Sequence, residues 1–407
     1  MHRFMNKSSM WLLTCALMMV AVARTFLHGQ GELFKHSKDL PEILHLVDRA
    51  YVDEVQLETL LPGLYQGALN GLDENASYVP PGMTPVNRDD EVYLRTGMVV
   101  RKRLGHAYVM QVAPESPAAN TQILPETYLR EINGSVTREM SLVAVRQAIL
   151  ENETLVRLKV IDPGKTEDRE VELHPATFGQ TKMQHQAYGD GLHLVRIPQF
   201  YDGLELDLRK ALNQTREAAS KADRNPRFVL DLRNNARGNR RHFKMLVALF
   251  LPAGDLGAWV AKGREPIPVR NETAGAFADL DLFVLHNRGT SGAAEWFTAI
   301  ARDRKAAVTL GIETLGMPPV YGWVQLKNGA HLEIPIADLE LSSKETLTKN
   351  GVKPDVAVKK DVKGEGDDAE PKVESAEDYL ARALEAVRSY RAESAPAPAQ
   401  EALPKAG

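Results

Sequence analysis

The stretch "HNRGTSGAAEWFTA", His286 to Ala299, has the layout of an active-site turn. An apolar run, "DLDLFVLH", gives way to small residues, and a helical pattern opens at Ala293 with Glu295 in its first turn. Strand ends that lead into helices suit nucleophiles, because the unpaired N–H groups of a helix start favour negative charge. Ser291 and Thr290 are the hydroxyls of this turn, and His286, Lys262 and Lys305 are the nearest bases in sequence. A structural account competes for each. Ser291 reads better as a turn or N-cap hydroxyl than as a nucleophile, and Thr290 is weaker still. His286, closing an apolar strand, reads as a hydrogen-bonded structural histidine, and the helix dipole alone explains Glu295.

The elements that would carry this turn alternate. From Gly189, strands at "GLHLVRIPQF", "RFVLDLR", "LDLFVLH" and "AAVTLG" alternate with helices expected over 203–222, 241–250 and 293–303. Near-continuous apolar strands between helices mark a largely parallel sheet covered on both faces. Shorter strands, including "YGWVQL" and "AHLEIPIA", fill the rest to Val356. Upstream, residues 94 to 175 read as a separate β-rich module with strands near "GMVVRKR", "HAYVMQVA", "YLREING" and "LVRLKVID". One helix, "SLVAVRQAIL", interrupts it with Ser141 as N-cap, and "EINGS" supplies Asn-Gly turn chemistry. Two amphipathic helices precede the module and end at "GLDENASYVPP"; neither carries chemistry in this reading.

Composition narrows the function. The chain has 407 residues, 43% hydrophobic and 26% charged, enough for two or three domains with sizeable cores. A formal net charge of −4 and no long basic run give no nucleic-acid signal. Cys15 is the only cysteine, so disulfide frameworks and cysteine metal sites are excluded. No phosphate-binding glycine loop and no His/Asp/Glu metal spacing occur, so neither metal nor cofactor is expected. At the N-terminus, His2, Arg3 and Lys7 precede the apolar run Met10 to Ala23, closed by Arg24. Its length fits a secretory signal and is short for a helix crossing ~30 Å of hydrocarbon. The expectation is export to a periplasmic or other extracytoplasmic space, by a cleaved signal or a retained anchor, with the membrane touched only there.

The order of motifs resembles that of the carboxyl-terminal processing (tail-specific) serine peptidases. "YVDE", "LDENASYVPP", "SPAANTQILPETYLREINGS", "FVLDLRNNARG", "HNRGTSGAAE", "LGIETLG" and "NGVKPDV" carry the resemblance over about residues 40 to 390. It implies an α/β protease core, crotonase-like or ClpP-like, with an inserted mainly-β PDZ domain and a helical N-terminal segment. The implied boundaries are a signal or anchor at 1–30, helices at 31–90 and a PDZ-like domain at 91–175. A protease-like core at 176–358, a charged linker at 359–376, a helix at 377–391 and an Ala/Pro tail at 392–407 complete the chain. By the same resemblance, Thr96, Gly97, Met98 and Val99 form the loop that holds a peptide's terminal carboxylate, with Met98 lining an apolar pocket. The family's "AG…PGD" turn is "TQILPET" here, a remodelled loop.

The resemblance also assigns the catalytic positions, and they are empty. The family's serine nucleophile falls on Gly292, its lysine base on Met317 and the glutamine that orients the pair on Tyr321. Where the family has "NNPGG", this chain has "NNARG", which alters the oxyanion region at Arg237 and Gly238. A Ser–Lys mechanism needs a hydroxyl and an amine that can lose its proton; glycine and methionine supply neither. The expectation is an exported homologue without catalysis, binding peptide or protein C-termini as a scaffold or regulator. Two alternatives stand beside it: an active endopeptidase using the displaced Ser291, and a structural subunit pairing with an active paralogue or with itself.

Overall fold

The computed structural model describes residues 39–83, 88–188, 191–222, 227–317, 320–358, 362–363, 372–373 and 375–390. The expected signal or anchor at 1–30 and tail at 392–407 lie outside the described residues, as does most of the 359–376 linker. The chain divides into two compact units, residues 1–67 and 68–407. The first contains α1 (Asp39–Ala50) and most of α2 (Leu57–Asn70).

In the second unit, β1 (Ser77–Val79) and α3 (Asp89–Thr96) lead into the β-rich module. Its strands are β2 (Met98–Arg103), β3 (His106–Val112), β4 (Tyr128–Ile132), β5 (Ser135–Val136), β6 (Val156–Ile161) and β7 (Asp168–Leu173). The short α4 (Pro117–Asn120) and α5 (Leu142–Leu150) complete it. The sheet runs β2-β3-β4-β6-β7, antiparallel throughout, with β5 on β4. Asn133 and Gly134 take φ of 49° and 82° in the two-residue turn between β4 and β5, as Asn-Gly chemistry requires. Ser141 Oγ caps α5 by accepting from Ala144 N at 3.1 Å, as the sequence foretold. A cut at residue 91 would split α3, however: Val92 packs into this module's core with Met98 and Val145.

The core follows with β8 (Gln184–Ala187), β9 (Leu192–Arg196), α6 (Leu204–Ala222), β10 (Arg227–Asp231) and α7 (Arg240–Phe250). Then come β11 (Gly254–Val260), β12 (Ile267–Asn271), β13 (Asp281–His286), α8 (Ala293–Asp303), β14 (Val308–Gly311), β15 (Val320–Gln325), β16 (His331–Leu341), β17 (Val356–Ala357) and α9 (Ala376–Ser389). The main sheet is ordered β17-β14-β13-β10-β9-β8, parallel except for β8 at the edge. Alternation explains its apolar strands. Val195, Leu230 and Val284 face a core shared with Leu208, Phe243 and Phe297 of α6, α7 and α8. Leu194, Val229 and Phe283 face Tyr379, Leu384 and Val387 of α9. The central strand residues are covered on one side or the other, while the edge strand β8 is largely exposed. The sequence reading missed the length of β16, whose 11 residues join β1, β15 and β11 in a second, antiparallel sheet.

Candidate functional site

The turn after β13 is braced by the loop after β10. Asn287 Oδ1 accepts from Asn234 N at 2.9 Å, and Asn287 Nδ2 donates to Asn234 Oδ1 at 2.8 Å. Thr290 Oγ1 donates to Leu232 O at 2.9 Å and accepts from Asn287 N at 3.0 Å, so this buried hydroxyl is committed to holding the turn. Ser291 is 8% exposed and gives its backbone N–H to Asn235 O at 2.9 Å. It is not the cap of α8. Gly292 is, with φ 59° and ψ −134°, a conformation near the glycine-only region. A Cβ built there would lie 3.3 Å from Gly238 O. The nearest group to a side chain at residue 292 would therefore be an acceptor, which disfavours a neighbouring oxyanion.

The candidate bases are unsuited or distant. His286 is fully buried, and burial lowers its pKa to about 4, so the imidazole is neutral. Among the described residues its only polar neighbour is the Ile312 backbone, too poorly aligned for a full hydrogen bond yet enough to offset part of the effect of burial. It is a packing residue sealed from solvent. Lys262 and Lys305 are exposed. Lys305 lies beyond the far end of α8, whose 11 residues place it about 16 Å from Gly292. Glu295 needs more than the helix dipole: its side chain is fully buried and Oε1 accepts from Gly316 N at 3.0 Å. Burial raises its pKa to about 7, against the lowering effect of its bonds to Thr314 and to the Gly316 and Met317 backbone.

The positions that the resemblance gives to catalysis are packing surface in the structure. Met317 lies against an apolar cluster of Tyr93, Val99, Tyr108, Met110, Ala113 and Ala236. Five of these six belong to α3, β2 and β3 or the turn after it, so Met317 and Ala236 join the core to the β-rich module. Arg237 stacks over the Tyr93 ring at 3.9 Å and pairs with Asp90. Ala236 N donates to Gln111 Oε1 at 3.0 Å, and Gln111 Nε2 donates to Pro198 O at 2.9 Å. Gly238, at φ 142°, has no room for a side chain, since a Cβ would come within 2.8 Å of both Phe200 and Ala293. Tyr321 spends its hydroxyl on Asp73 Oδ2 at 2.6 Å, and burial raises its pKa.

The expected carboxylate loop is closed rather than open. Thr96, Met98 and Val99 are all buried, and Met98 sits in the module's core instead of lining a pocket. Gly97 caps α3 by giving its N–H to Tyr93 O, and Met98 N donates to Thr96 Oγ1 at 3.1 Å. A Cβ at Gly97 would overlap Ser116 at 2.1 Å, so packing as well as φ demands glycine. The open edge of β2 is capped too. Asn75 Oδ1 accepts from Lys102 N at 2.7 Å, Asn75 Nδ2 donates to Lys102 O at 3.4 Å, and Arg101 Nη1 donates to Val100 O at 2.9 Å.

Asp73 and Asn75 of the "LDENASYVPP" motif, to which the sequence analysis gave no role of its own, thus reach Tyr321 and β2; their carboxylate and amide just before a strand were the available signal. An ionic chain, buried at Arg146 and Glu333 and partly buried at Asp89 and Arg101, was also missed. Asp89 bonds Arg101 and Arg146, and Arg146 Nη1 reaches Glu333 Oε2 on β16 at 2.9 Å. Burial alone would raise the Asp89 pKa, but the two guanidinium groups outweigh it and hold the value low. Among the described residues no group of three or more His, Cys, Asp or Glu side chains is arranged to hold a metal.

Residues 192–358 match peptidase family S41. The chain is similar to a probable CtpA-like serine protease of Staphylococcus saprophyticus, at 22% identity over 302 residues, 73% of this chain and 60% of that protein. It is also similar to the carboxyl-terminal-processing protease of Synechocystis sp., at 26% identity over 258 residues, 61% of this chain and 58% of that protein. The matches thus span less than two thirds of either relative's length. The solved photosystem II D1 C-terminal processing protease shares the fold, with a TM-score of 0.58 at 21% identity over 78% of this chain and 91% of that one.

Proposed function

Taking the chain as a homologue of the carboxyl-terminal processing proteases, with its family S41 match at residues 192–358, we propose that it binds peptides or protein C-termini without hydrolysing them. The observation that carries this reading is Gly292 at the head of α8, in a conformation a serine would adopt only under strain, facing a carbonyl oxygen. Met317 in an apolar cluster supports it, since a lysine there would need to stay neutral or meet a desolvation cost of several kcal/mol. The β-rich module is PDZ-like in this reading, and the protein acts as a scaffold or regulator in an extracytoplasmic space.

The test is cleavage of an unstructured protein with a free C-terminus by the wild type, Ser291→Ala, and Gly292→Ser combined with Met317→Lys. The wild type is expected to be inert and the double substitution feeble, because the altered loop at Arg237 and Gly238 remains. Losing one oxyanion donor alone costs about 10²–10³ in rate. Wild-type cleavage abolished by Ser291→Ala would overturn the proposal.

A further inference from the structure

Four asparagines of the chain precede a glycine: Asn70, Asn133, Asn328 and Asn350. Such a pair can cyclise, because glycine has no Cβ to shield its backbone nitrogen from the asparagine side chain. The structure ties three of the four. Asn70 is the last residue of α2, and just beyond it Leu72 N and Asp73 N both donate to Leu69 O, at 2.9 and 3.0 Å. Asn133 Oδ1 accepts from Arg157 N at 3.0 Å and Nδ2 donates to Ala148 O at 3.1 Å, so both ends of the amide are held. Asn350 Nδ2 donates to Thr346 O at 2.8 Å, and Gly351 is wedged against Thr314 O. Asn328 differs. It and Gly329 are exposed in the turn between β15 and β16, and a Cβ built on Gly329 would meet nothing within 4 Å. Among the described residues its Nδ2 has no hydrogen-bond partner, whereas Oδ1 accepts from Ala330 N at 3.1 Å.

We propose that Asn328 is a site of spontaneous modification, converted through a cyclic imide to aspartate and isoaspartate. Gly329 N attacks Asn328 Cγ and loses its proton to solvent. The new N–C bond replaces the Cγ–Nδ2 bond, and Nδ2 leaves as ammonia. Water then opens the ring at either carbonyl, giving aspartate, or isoaspartate with one more carbon in the main chain. The bond from Ala330 N serves the attack, since it draws electron density from Cγ and donates to the oxygen on which charge develops. It also folds the side chain back over the turn, toward the nitrogen that attacks. One bond opposes the step: Gly329 N donates to Leu326 O at 3.0 Å and must be released first. The hairpin stays anchored meanwhile by Leu326 N on Ala330 O at 2.8 Å and by the pairing of Gln325 with His331. At Asn133 and Asn350 side-chain bonds must break as well, and each such bond slows cyclisation roughly tenfold. The product places a new carboxylate, and in isoaspartate a longer main chain, in the turn that joins β16 to the strand carrying Tyr321.

The experiment is ageing of the full chain in mildly alkaline buffer. Peptide mapping by mass spectrometry reads the conversion of amide to acid at each of the four positions, and an isoaspartate methyltransferase detects isoaspartate. The folded chain is expected to convert at Asn328 roughly tenfold or more faster than at Asn70, Asn133 or Asn350. In urea the four should convert at comparable rates, because only the fold separates them. Asn328→Gln should remove most of the ammonia released by the folded chain. No conversion at Asn328 in the folded chain, or an equal rate at any of the other three, would overturn the proposal. So would a preference for Asn328 that persists in urea, or aspartate formed there without isoaspartate.

Discussion

At Glu295 a carboxyl sealed from water holds the loop around Gly316, and its position makes stability depend on pH. Its folded-state pKa is raised from 4.5 to about 7. The raised value means that its favourable contribution is complete below about 4.5 and is lost as pH rises through about 7. The shift corresponds to something on the order of 3 kcal/mol. His286 acts oppositely: its lowered value favours folding above about 6.5, and that favour is lost as pH falls through about 4. The two effects oppose between 4.5 and 6.5, so a simple acid titration of the wild type would hide both. Glu295→Gln keeps an acceptor for the Gly316 amide without the charge. Urea unfolding at pH 5 and pH 8 should show the variant gaining on the wild type by roughly 3 kcal/mol between them. An equal difference at both pH values would show that Glu295 does not titrate in this range.

At the scale of elements, the proposed peptide binding would fall on β2. An added peptide strand would need the outward backbone groups of Met98, Val100 and Lys102, and side chains of Thr96, Arg101 and Asn75 already occupy most of them. Asn75 is the simplest to remove. Asn75→Ala leaves the Lys102 N–H and C=O without partners, which costs about 1–3 kcal/mol in the free protein. A peptide backbone can supply both bonds and recover that loss on binding. The variant is therefore expected to bind a peptide with a free apolar C-terminus at least tenfold more tightly than the wild type, read by fluorescence anisotropy. Equal affinities, with the sheet intact by circular dichroism, would move recognition away from this edge. Ser116 beneath Gly97 makes a bulky substitution at residue 97 a poor alternative, since it would disrupt the module itself.

At the scale of the molecule, motifs that resemble a peptidase's hold the core together. Asp355 in "NGVKPDV" accepts from Thr309 N and Oγ1 at 3.0 and 2.8 Å and pairs with Arg302 of α8 at 2.8 Å. Gly316 in "LGIETLG" and Gly351 in "NGVKPDV" approach so closely that a Cβ at either would meet backbone at 2.4 Å. Asp231 in "FVLDLRNNARG" anchors the buried Arg233 at 2.7 Å. These residues thus have a structural role that does not depend on catalysis. The proposed extracytoplasmic location rests on the N-terminal run. Removing residues 1–24 should leave the protein in the cytoplasm, as fractionation against a cytoplasmic marker would show. Undiminished export of the truncated chain would refute that assignment.

The sequence alone determined the alternating strands and helices of the main sheet, because apolar periodicity and cap residues such as Ser141 are local signals. It also determined that no hydroxyl stands at 292 and no amine at 317, since residue type there is a plain fact of the chain. Only the tertiary structure decided what replaced them. Met317 packs with Met110, Tyr321 bonds Asp73 and Arg146 bonds Glu333 across long sequence separations that no local pattern encodes. The Thr96–Val99 loop misled for the same reason: its composition permits an open cradle, and the surrounding Tyr93, Asn75 and Ser116 close it. Periodicity fixes which face of an element is apolar. What that face meets depends on how distant segments fill the space between them.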